Sequence, residues 1–242
     1  MVDRKLVNEV KKEIITVMMI LLDRGVFEYT AGHASCRVPG TDYILMPGHI
    51  HPEHRTIDSL QEDDIILVDS DGNLMEGKLS PLGERYIHTE IYKRRKDVGS
   101  VIHSHPVLAN AFGIANQQIL PISTHSTIFS PGIPIMKFSR QVDSPEAGAE
   151  VAQNLGEGFA LLLQGHGAVA VGSSLRQACI VSILIEDTAQ MQFYAHCIGT
   201  PQTIPAEFLD DEFMKGLSQE EFFGNPWDYY YNKYLNSHNK EK

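Results

Sequence analysis

The chain has 242 residues, 43% of them hydrophobic and 21% charged, which excludes a disordered or fibrous protein. Its formal net charge of −11 disfavours nonspecific binding to nucleic acid or to anionic membranes, because like charges repel. No apolar run approaches the ~18–20 residues that a membrane span needs, so we expect no membrane partner. The N-terminal residues lack the apolar core of a signal peptide and the three cysteines are widely spaced, which predicts a reduced, cytoplasmic protein.

The predicted elements are pairs of short strands separated by helices. Apolar residues at helical spacing predict helices over residues 3–24, 82–96, 145–155 and 175–196, with another beginning at Leu108. Short alternating or continuous apolar runs predict strands over residues 34–38, 43–46, 65–69, 74–76, 98–105, 159–163 and 168–171. This order predicts a single α/β or α+β domain over residues 1–242 around a mostly antiparallel sheet. Residues 205–242 form a tail, acidic and then aromatic, that is typical of packing or of an interface.

Two histidines stand close together where a strand is predicted to end. Side chains two residues apart on a strand point to the same face, so the imidazoles of His103 and His105 aim one way, and Pro106 ends the strand. Two imidazoles that converge on one point suit a divalent transition metal. The alternative is a pair of polar strand residues that only form hydrogen bonds.

A third histidine, His166, lies between Gly165 and Gly167 after a predicted apolar strand. The glycines allow the tight backbone geometry that brings an imidazole to the end of that strand. Three nitrogen ligands leave a vacant position for substrate or water, which is the arrangement of a catalytic metal site. A turn histidine without a partner is the alternative, since a sequence does not show that two distant segments meet.

A carboxylate and a fourth histidine lie near the start of the helix predicted over residues 82–96. Glu84 lies in its first turn, where the helix dipole favours an acidic residue for structural reasons alone. Beside a three-histidine metal, Glu84 becomes a fourth ligand or a general acid/base. His88, one turn later on the same face, either supports Glu84 or packs in the core.

The sequence resembles the class II aldolase/adducin family over roughly residues 6–210. The motifs that carry the resemblance are, in chain order, Thr30-Ala31-Gly32-His33-Ala34-Ser35-Cys36-Arg37 (the family's G-N-x-S-x-R region), Glu84 with His88 (E-x-x-x-H), His103-Ser104-His105-Pro106 and Gln164-Gly165-His166-Gly167. The resemblance implies a three-layer α/β/α sandwich with a central, mainly antiparallel sheet. It also implies that His103, His105 and His166 hold a divalent metal ion. Glu84 would then be a nearby acid/base or a displaceable ligand.

The resemblance carries further expectations about assembly, metal and catalysis. Members of the family are usually homotetramers with sites at subunit interfaces, so residues of the tail could complete a neighbouring subunit's site. Three histidines favour Zn²⁺ or Mn²⁺ and also bind Co²⁺ or Fe²⁺. The family's catalytic tyrosine falls on His125 in this chain.

Departures from the family's pattern bear on the substrate. Sugar-phosphate members hold phosphate with an Asn, a Ser/Thr-Gly pair and a Ser-Ser pair, and here the Asn is replaced by His33 and the Ser-Ser pair by Leu82-Gly83. A phosphate dianion needs several fixed N–H or O–H donors, and much of that set is missing. The basic residues His33, Arg37, His49 and His51 can instead bind a substrate carboxylate. For the loop residues among them, ordinary exposed charge is the alternative.

These observations lead to several hypotheses of function. The first is a metal-dependent lyase that stabilises an enolate-type carbanion, a decarboxylase of a small, nonphosphorylated hydroxy-aromatic or keto acid, with Glu84 or His125 protonating the carbanion. The second is a class II aldolase or epimerase on a sugar or sugar phosphate. The third is a noncatalytic, adducin-like interaction domain, which predicts the loss of metal ligands that this chain retains. A three-histidine metal hydrolase or oxygenase is a fourth.

Overall fold

The central feature of the fold is one eight-stranded sheet, seen in a computed structural model that describes residues 3–28, 31–49, 56–137, 140–209, 216 and 220–238. In chain order its strands are β1 (His33–Arg37), β2 (Ile44–Pro47), β3 (Ile65–Val68), β4 (Leu74–Glu76), β5 (Ser100–Ser104), β6 (Ile135–Met136), β7 (Ala160–Leu163) and β8 (Gly167–Gly172). They lie side by side in the order β4-β3-β2-β1-β5-β8-β7-β6. Every neighbouring pair is antiparallel except β6 with β7.

Helices cover both faces of this sheet. They are α1 (Arg4–Asp23), α2 (Arg85–Arg94), α3 (Val107–Ile114), α4 (Pro145–Leu155), α5 (Leu175–Ile198) and α6 (Glu220–His238). One buried apolar cluster joins α1, α3, α5 and α6 to one face, and a second joins α2 and α4 to the other. The predicted three-layer α/β/α sandwich with a mainly antiparallel sheet is therefore confirmed.

The residue patterns explain why these elements form. Helix α1 begins after Asp3, whose side chain accepts the backbone N–H of Lys5, and it buries one stripe of apolar residues against the sheet. Strands β7 and β8 are buried along their whole length, because the sheet is covered on both sides. Their continuous apolar runs are typical of such a doubly covered strand.

Several element ends differ from the sequence prediction, and two of these differences matter for the site. Strand β5 ends at Ser104, so His105 lies just beyond the ladder, next to Pro106, which has no N–H for strand pairing. Helix α2 begins at Arg85, which leaves Glu84 immediately before the first turn with φ −86° and ψ 18°. The two-residue strand β6 was not predicted, since so short a segment has no periodicity.

The aromatic tail begins to pack within α6. Phe223 and Trp227 are buried in the cluster that contains α1 and α5. Lys233 on α6 donates to the Asp23 carboxylate at the end of α1 at 2.6 Å. Among the described residues, no helix combines the length and the apolar character that crossing a membrane needs.

Candidate metal centre

Three imidazoles meet at one end of the central strands β5 and β8. Strand β5 pairs with β8 so that Ser104 faces Ala168, which brings His103 and His105 beside His166 in the turn before β8. The ring centroids lie 4.7 Å apart for His103 and His166, 4.8 Å for His103 and His105, and 5.2 Å for His105 and His166. One ligand atom from each residue lies within 4.8 Å of the other two. Sequence-distant segments thus supply three nitrogen donors to one point.

The two glycines beside His166 meet two different requirements, a backbone conformation at Gly165 and close packing at Gly167. Gly165 adopts a φ of +74°, the left-handed region in which a side chain is strained. Gly167 lies against strand β5, where a Cβ would stand 2.3 Å from the carbonyl oxygen of Ser104 and 2.6 Å from Cδ2 of His105. The missing side chain at Gly167 therefore allows the two histidine-bearing segments to approach closely.

Burial and hydrogen bonding prepare the histidines to act as ligands. Burial, together with the neighbouring imidazoles, holds the pKa of His103 well below its usual value, and burial also lowers the pKa of His105. Nδ1 of His103 lies 3.0 Å from the carbonyl oxygen of Ala168, so its N–H donates there and the lone pair remains on Nε2. That Nε2 lies 2.9 Å from Nε2 of His105. Neutral imidazoles with converging lone pairs are what a divalent cation binds.

Glu84 provides a negative charge at the same point. Its Oε1 lies 3.2 Å from Nε2 of His166, and its Oε2 lies 3.7 Å from Nε2 of both His33 and His103. Burial alone would raise the pKa of this carboxyl, but the imidazoles of His166 and His33 outweigh burial and hold the pKa far below its ordinary range. Glu84 is therefore ionised. Three imidazole nitrogens and one carboxylate form a donor set that fits a divalent metal.

His33, a predicted substrate-binding residue, lies beside this cluster. It begins strand β1, directly opposite His103 in the antiparallel pair of β1 and β5. Their ring centroids lie 5.1 Å apart. With Glu84 and His103 it forms a second group whose ligand atoms lie within 4.8 Å of one another.

Arg37 lies at the other end of strand β1 and contacts the backbone. Its guanidinium donates to the carbonyl oxygen of Tyr92 at 2.7 Å and to that of Arg95 at 3.2 Å. It also lies over the Tyr92 ring, 4.8 Å from the centroid. These contacts tie β1 to the end of helix α2, so the structure gives Arg37 a packing role that the sequence did not indicate.

Two other predicted site residues, His49 and His125, lie outside the cluster within this chain. His49 is exposed, and its backbone N–H donates to the carbonyl oxygen of Ser80 at 2.7 Å. His51 lies outside the described residues. His125 is exposed in a 3-10 turn, with its ring 5.8 Å from that of Phe222 on α6.

Sequence reasoning left His88 undecided and missed two of its neighbours. His88 is fully buried, and its two ring nitrogens lie 2.7 Å from His33 and from Ser35. The hydroxyl of Tyr92 lies 2.8 Å from that of Ser35. Two signals were available, because His33 and Ser35 share a face of a strand while His88 and Tyr92 share a face of a helix.

Comparison with known proteins gives a consistent result. Residues 12–193 match the model of the Class II Aldolase and Adducin N-terminal domain. An L-fuculose phosphate aldolase of Methanocaldococcus jannaschii is 30% identical over 185 residues, covering 75% of this chain and 94% of the relative. A 3,4-dihydroxyphthalate decarboxylase of Arthrobacter keyseri is 28% identical over 199 residues, covering 78% of this chain and 79% of the relative.

The fold comparison agrees with the sequence comparison. The crystal structure of an aldolase II superfamily protein from Pseudomonas syringae superposes with a TM-score of 0.82 at 20% identity, covering 96% of this chain and 94% of that chain. The family match extends over most of the sandwich and includes the segments that bear the histidine cluster. The chain therefore belongs to the class II aldolase/adducin family.

Proposed function

We propose that this chain is a metal-dependent carbon–carbon lyase in which His103, His105 and His166 hold a divalent cation. The observation that supports this most strongly is the convergence of three imidazoles beside an ionised carboxylate. Zn²⁺ or Mn²⁺ is favoured for this set, and Co²⁺ or Fe²⁺ is compatible with it. When bound, such a cation withdraws electrons from the substrate and stabilises the carbanion that carbon–carbon cleavage leaves.

Glu84 is the group that we propose moves the proton. It is ionised and lies within 3.2 Å of one proposed ligand, so it can take a proton from a substrate hydroxyl. After the bond to the leaving carboxylate breaks and CO₂ departs, the same carboxyl can return that proton to the carbon, and water supplies the proton that restores the product hydroxyl. His125, exposed in this chain, would act there only from a neighbouring copy.

The substrate that we propose is a small, nonphosphorylated hydroxy-aromatic or keto acid. Leu82 and Gly83 stand just before Glu84, where hydroxyl donors to a phosphate would be expected from the family pattern. An imidazole, His33, faces the carboxylate of Glu84 and can donate to a substrate anion. A relative named 3,4-dihydroxyphthalate decarboxylase supports this choice. His49 and His51 stay candidates for further contacts with the substrate.

We further propose a homotetramer. The second half of helix α5 carries large apolar side chains that this chain leaves exposed, Phe193, Tyr194 and Ile198 among them. Contiguous exposed apolar side chains mark surfaces that another protein covers. Sedimentation of the purified protein would measure the assembly, and a monomer at micromolar concentration would contradict it.

The experiment for the lyase proposal pairs metal analysis with product detection. Inductively coupled plasma analysis should find a bound divalent metal, and the protein should release CO₂ from 3,4-dihydroxyphthalate or a related hydroxybenzoate. Chelation should abolish that release, and adding back Zn²⁺ or Mn²⁺ should restore it. Full activity after complete removal of metal would refute the proposal.

A second candidate function is aldol cleavage or epimerisation of a sugar or sugar phosphate. The observation that favours it is the 30% identity to an L-fuculose phosphate aldolase. Inhibition by a low concentration of phosphoglycolohydroxamate, which mimics a phosphorylated enediolate, would support it over decarboxylation. A noncatalytic, adducin-like domain is the third candidate, and it predicts a protein that binds no metal.

A further inference from the structure

A line of hydrogen-bonded side chains runs through the protein interior to the metal centre. It consists of Tyr92, Ser35, His88 and His33, which we call the buried polar chain. Successive polar atoms lie 2.8 Å, 2.7 Å and 2.7 Å apart, and Nε2 of His33 then lies 3.7 Å from Glu84. All four residues are buried between strand β1 and helix α2. A buried donor or acceptor without a partner lowers the stability of the folded protein. The protons are therefore placed so that each buried donor meets an acceptor.

The protons can be ordered along this chain in two directions. Burial lowers the pKa of His88, so its ring is neutral and has one donor and one acceptor nitrogen. In the first direction Ser35 donates to Nδ1 of His88, and Nε2–H of His88 donates to Nδ1 of His33. The remaining proton of a neutral His33 then stands on Nε2. In the second direction every donor is reversed, and Nε2 of His33 carries a lone pair.

The position of the Glu84 side chain favours the first direction. Nε2 of His33 lies 3.7 Å from Oε2 of Glu84, and a carboxylate oxygen, which is a hydrogen-bond acceptor, attracts an N–H and repels a lone pair. At the far end, the second direction would require either the Tyr92 hydroxyl to donate to the carbonyl oxygen of Gly99 or the Ser35 hydroxyl to donate to that of Val101, and each of these contacts is 3.5 Å long. That distance is long for such a bond. Both ends of the buried polar chain thus favour a proton on Nε2 of His33.

We propose that His88, supported by Ser35, is a positioning residue that holds His33 as its Nε2–H tautomer with that N–H aimed into the metal centre. There the N–H donates to the anionic group of the substrate beside Glu84. The use of the donor by a carboxylate substrate rests on the function proposed above. The tautomer itself does not, because it follows from the interior hydrogen bonds and from the position of the Glu84 carboxylate, whatever the substrate is.

The tautomer can be measured without any activity. In metal-free protein labelled with ¹⁵N-histidine, the ring nitrogens of His33 should show a protonated Nε2 and an unprotonated Nδ1. Ser35→Ala and His88→Leu should convert this signal to a mixture of tautomers. His88→Gln should restore it, because the glutamine amide can donate to Nδ1 of His33. A proton on Nδ1 of His33 in the parent protein would overturn the proposal.

The kinetic test separates positioning from mere stability. With 3,4-dihydroxyphthalate as probe, Ser35→Ala should raise KM about tenfold with kcat nearly unchanged, since a misdirected donor weakens substrate and transition state alike. His88→Gln should lie close to the parent. The matched control is Thr89→Val, a change at a buried neighbour whose hydroxyl has no partner among the described residues. Equal KM values for Ser35→Ala and Thr89→Val would contradict the role of the buried polar chain in substrate binding.

The two readouts distinguish this inference from the proposed function. A protein with the expected tautomer but no decarboxylase activity would refute the lyase proposal and retain the positioning role of His88. A protein that decarboxylates the probe but carries the proton on Nδ1 of His33 would support the lyase proposal and refute the positioning role of His88. If His88→Leu does not fold, Ser35→Ala and His88→Gln supply the comparison.

Discussion

The glycines on either side of His166 offer a matched pair of substitutions that separates folding from metal binding. A methyl group at Gly167 would press on Ser104 and on the ring of His105. A methyl group at Gly165 would meet no atom within 4 Å, but the backbone there has a φ of +74°. Both changes add one carbon atom next to the same proposed ligand, and only one of them adds it between the ligand-bearing segments.

The expected magnitudes follow from these contacts. Carbon atoms pack at about 3.5–4.0 Å, so a contact of 2.3–2.6 Å forces the segments apart by roughly 1 Å. Metal–ligand distances tolerate only about ±0.2 Å, so Gly167→Ala should weaken metal binding by at least ~100-fold. Overpacking should also cost ~1–3 kcal/mol of stability. Gly165→Ala should cost ~1–2 kcal/mol through its backbone and leave metal affinity within about threefold of the parent.

Two measurements on each variant test this reasoning. Urea unfolding in the presence of a chelator gives the stability of the metal-free protein, and competition with a chromophoric chelator gives the affinity for Zn²⁺. We expect similar losses of stability in both variants and a loss of affinity in Gly167→Ala alone. The reasoning would be refuted if Gly167→Ala bound Zn²⁺ with parental affinity, or if Gly165→Ala lost as much affinity as Gly167→Ala. Either result would mean that the close approach of the two segments does not determine metal affinity.

Three further predictions concern stability. Arg37→Met should lower the free energy of unfolding by about 2 kcal/mol, because the hydrogen bonds to backbone carbonyls are lost, and it should leave KM unchanged. Urea titrations measure the loss, with Arg176→Met, a change at an exposed arginine, as the control. A raised KM at parental stability would indicate that Arg37 binds substrate instead. Burial raises the pKa of Glu186, which accepts the N–H groups of Leu108 and Ala109, so folded protein binds its proton more tightly than unfolded protein does. The stability that proton binding to Glu186 adds is therefore lost as the pH rises above about 4.3. In metal-free protein, the stability that Glu186→Gln loses relative to the parent should shrink over that range. A loss that does not change with pH would contradict this prediction. Zn²⁺ at 100 times its Kd should raise Tm by ~5–10 °C in calorimetry, and a Tm that metal does not change would argue against a built site.

Much of the fold could be predicted from the sequence, because the apolar patterns are strong. The apolar stripe of α1 must pack against the sheet, and the continuous apolar runs of β7 and β8 must lie in strands covered on both sides. The structure departs at element ends, where local geometry decides. Glu84 lies just before its helix instead of inside the first turn, and this position leaves its side chain free to face the histidines.

The candidate site could be predicted only where local spacing carries the signal. His103 and His105 share a strand motif, and the glycines around His166 mark a tight turn. The place of His33 depends on the register between β1 and β5, which sets it opposite His103 across 70 residues of chain. Arg37 has the charge of a binding residue, yet its partners are backbone carbonyls that become neighbours only in the folded protein. Pairings of this kind leave no trace in local sequence.

The most direct test of the account is a crystal structure of the metal-loaded protein with anomalous data at the metal edge. We predict one ion per chain, with ring nitrogens of His103, His105 and His166 at ~2.0–2.1 Å if the ion is Zn²⁺. An ion bound elsewhere, or a protein soaked in Zn²⁺ or Mn²⁺ whose three imidazoles hold none, would contradict the metal centre and the lyase chemistry that depends on it.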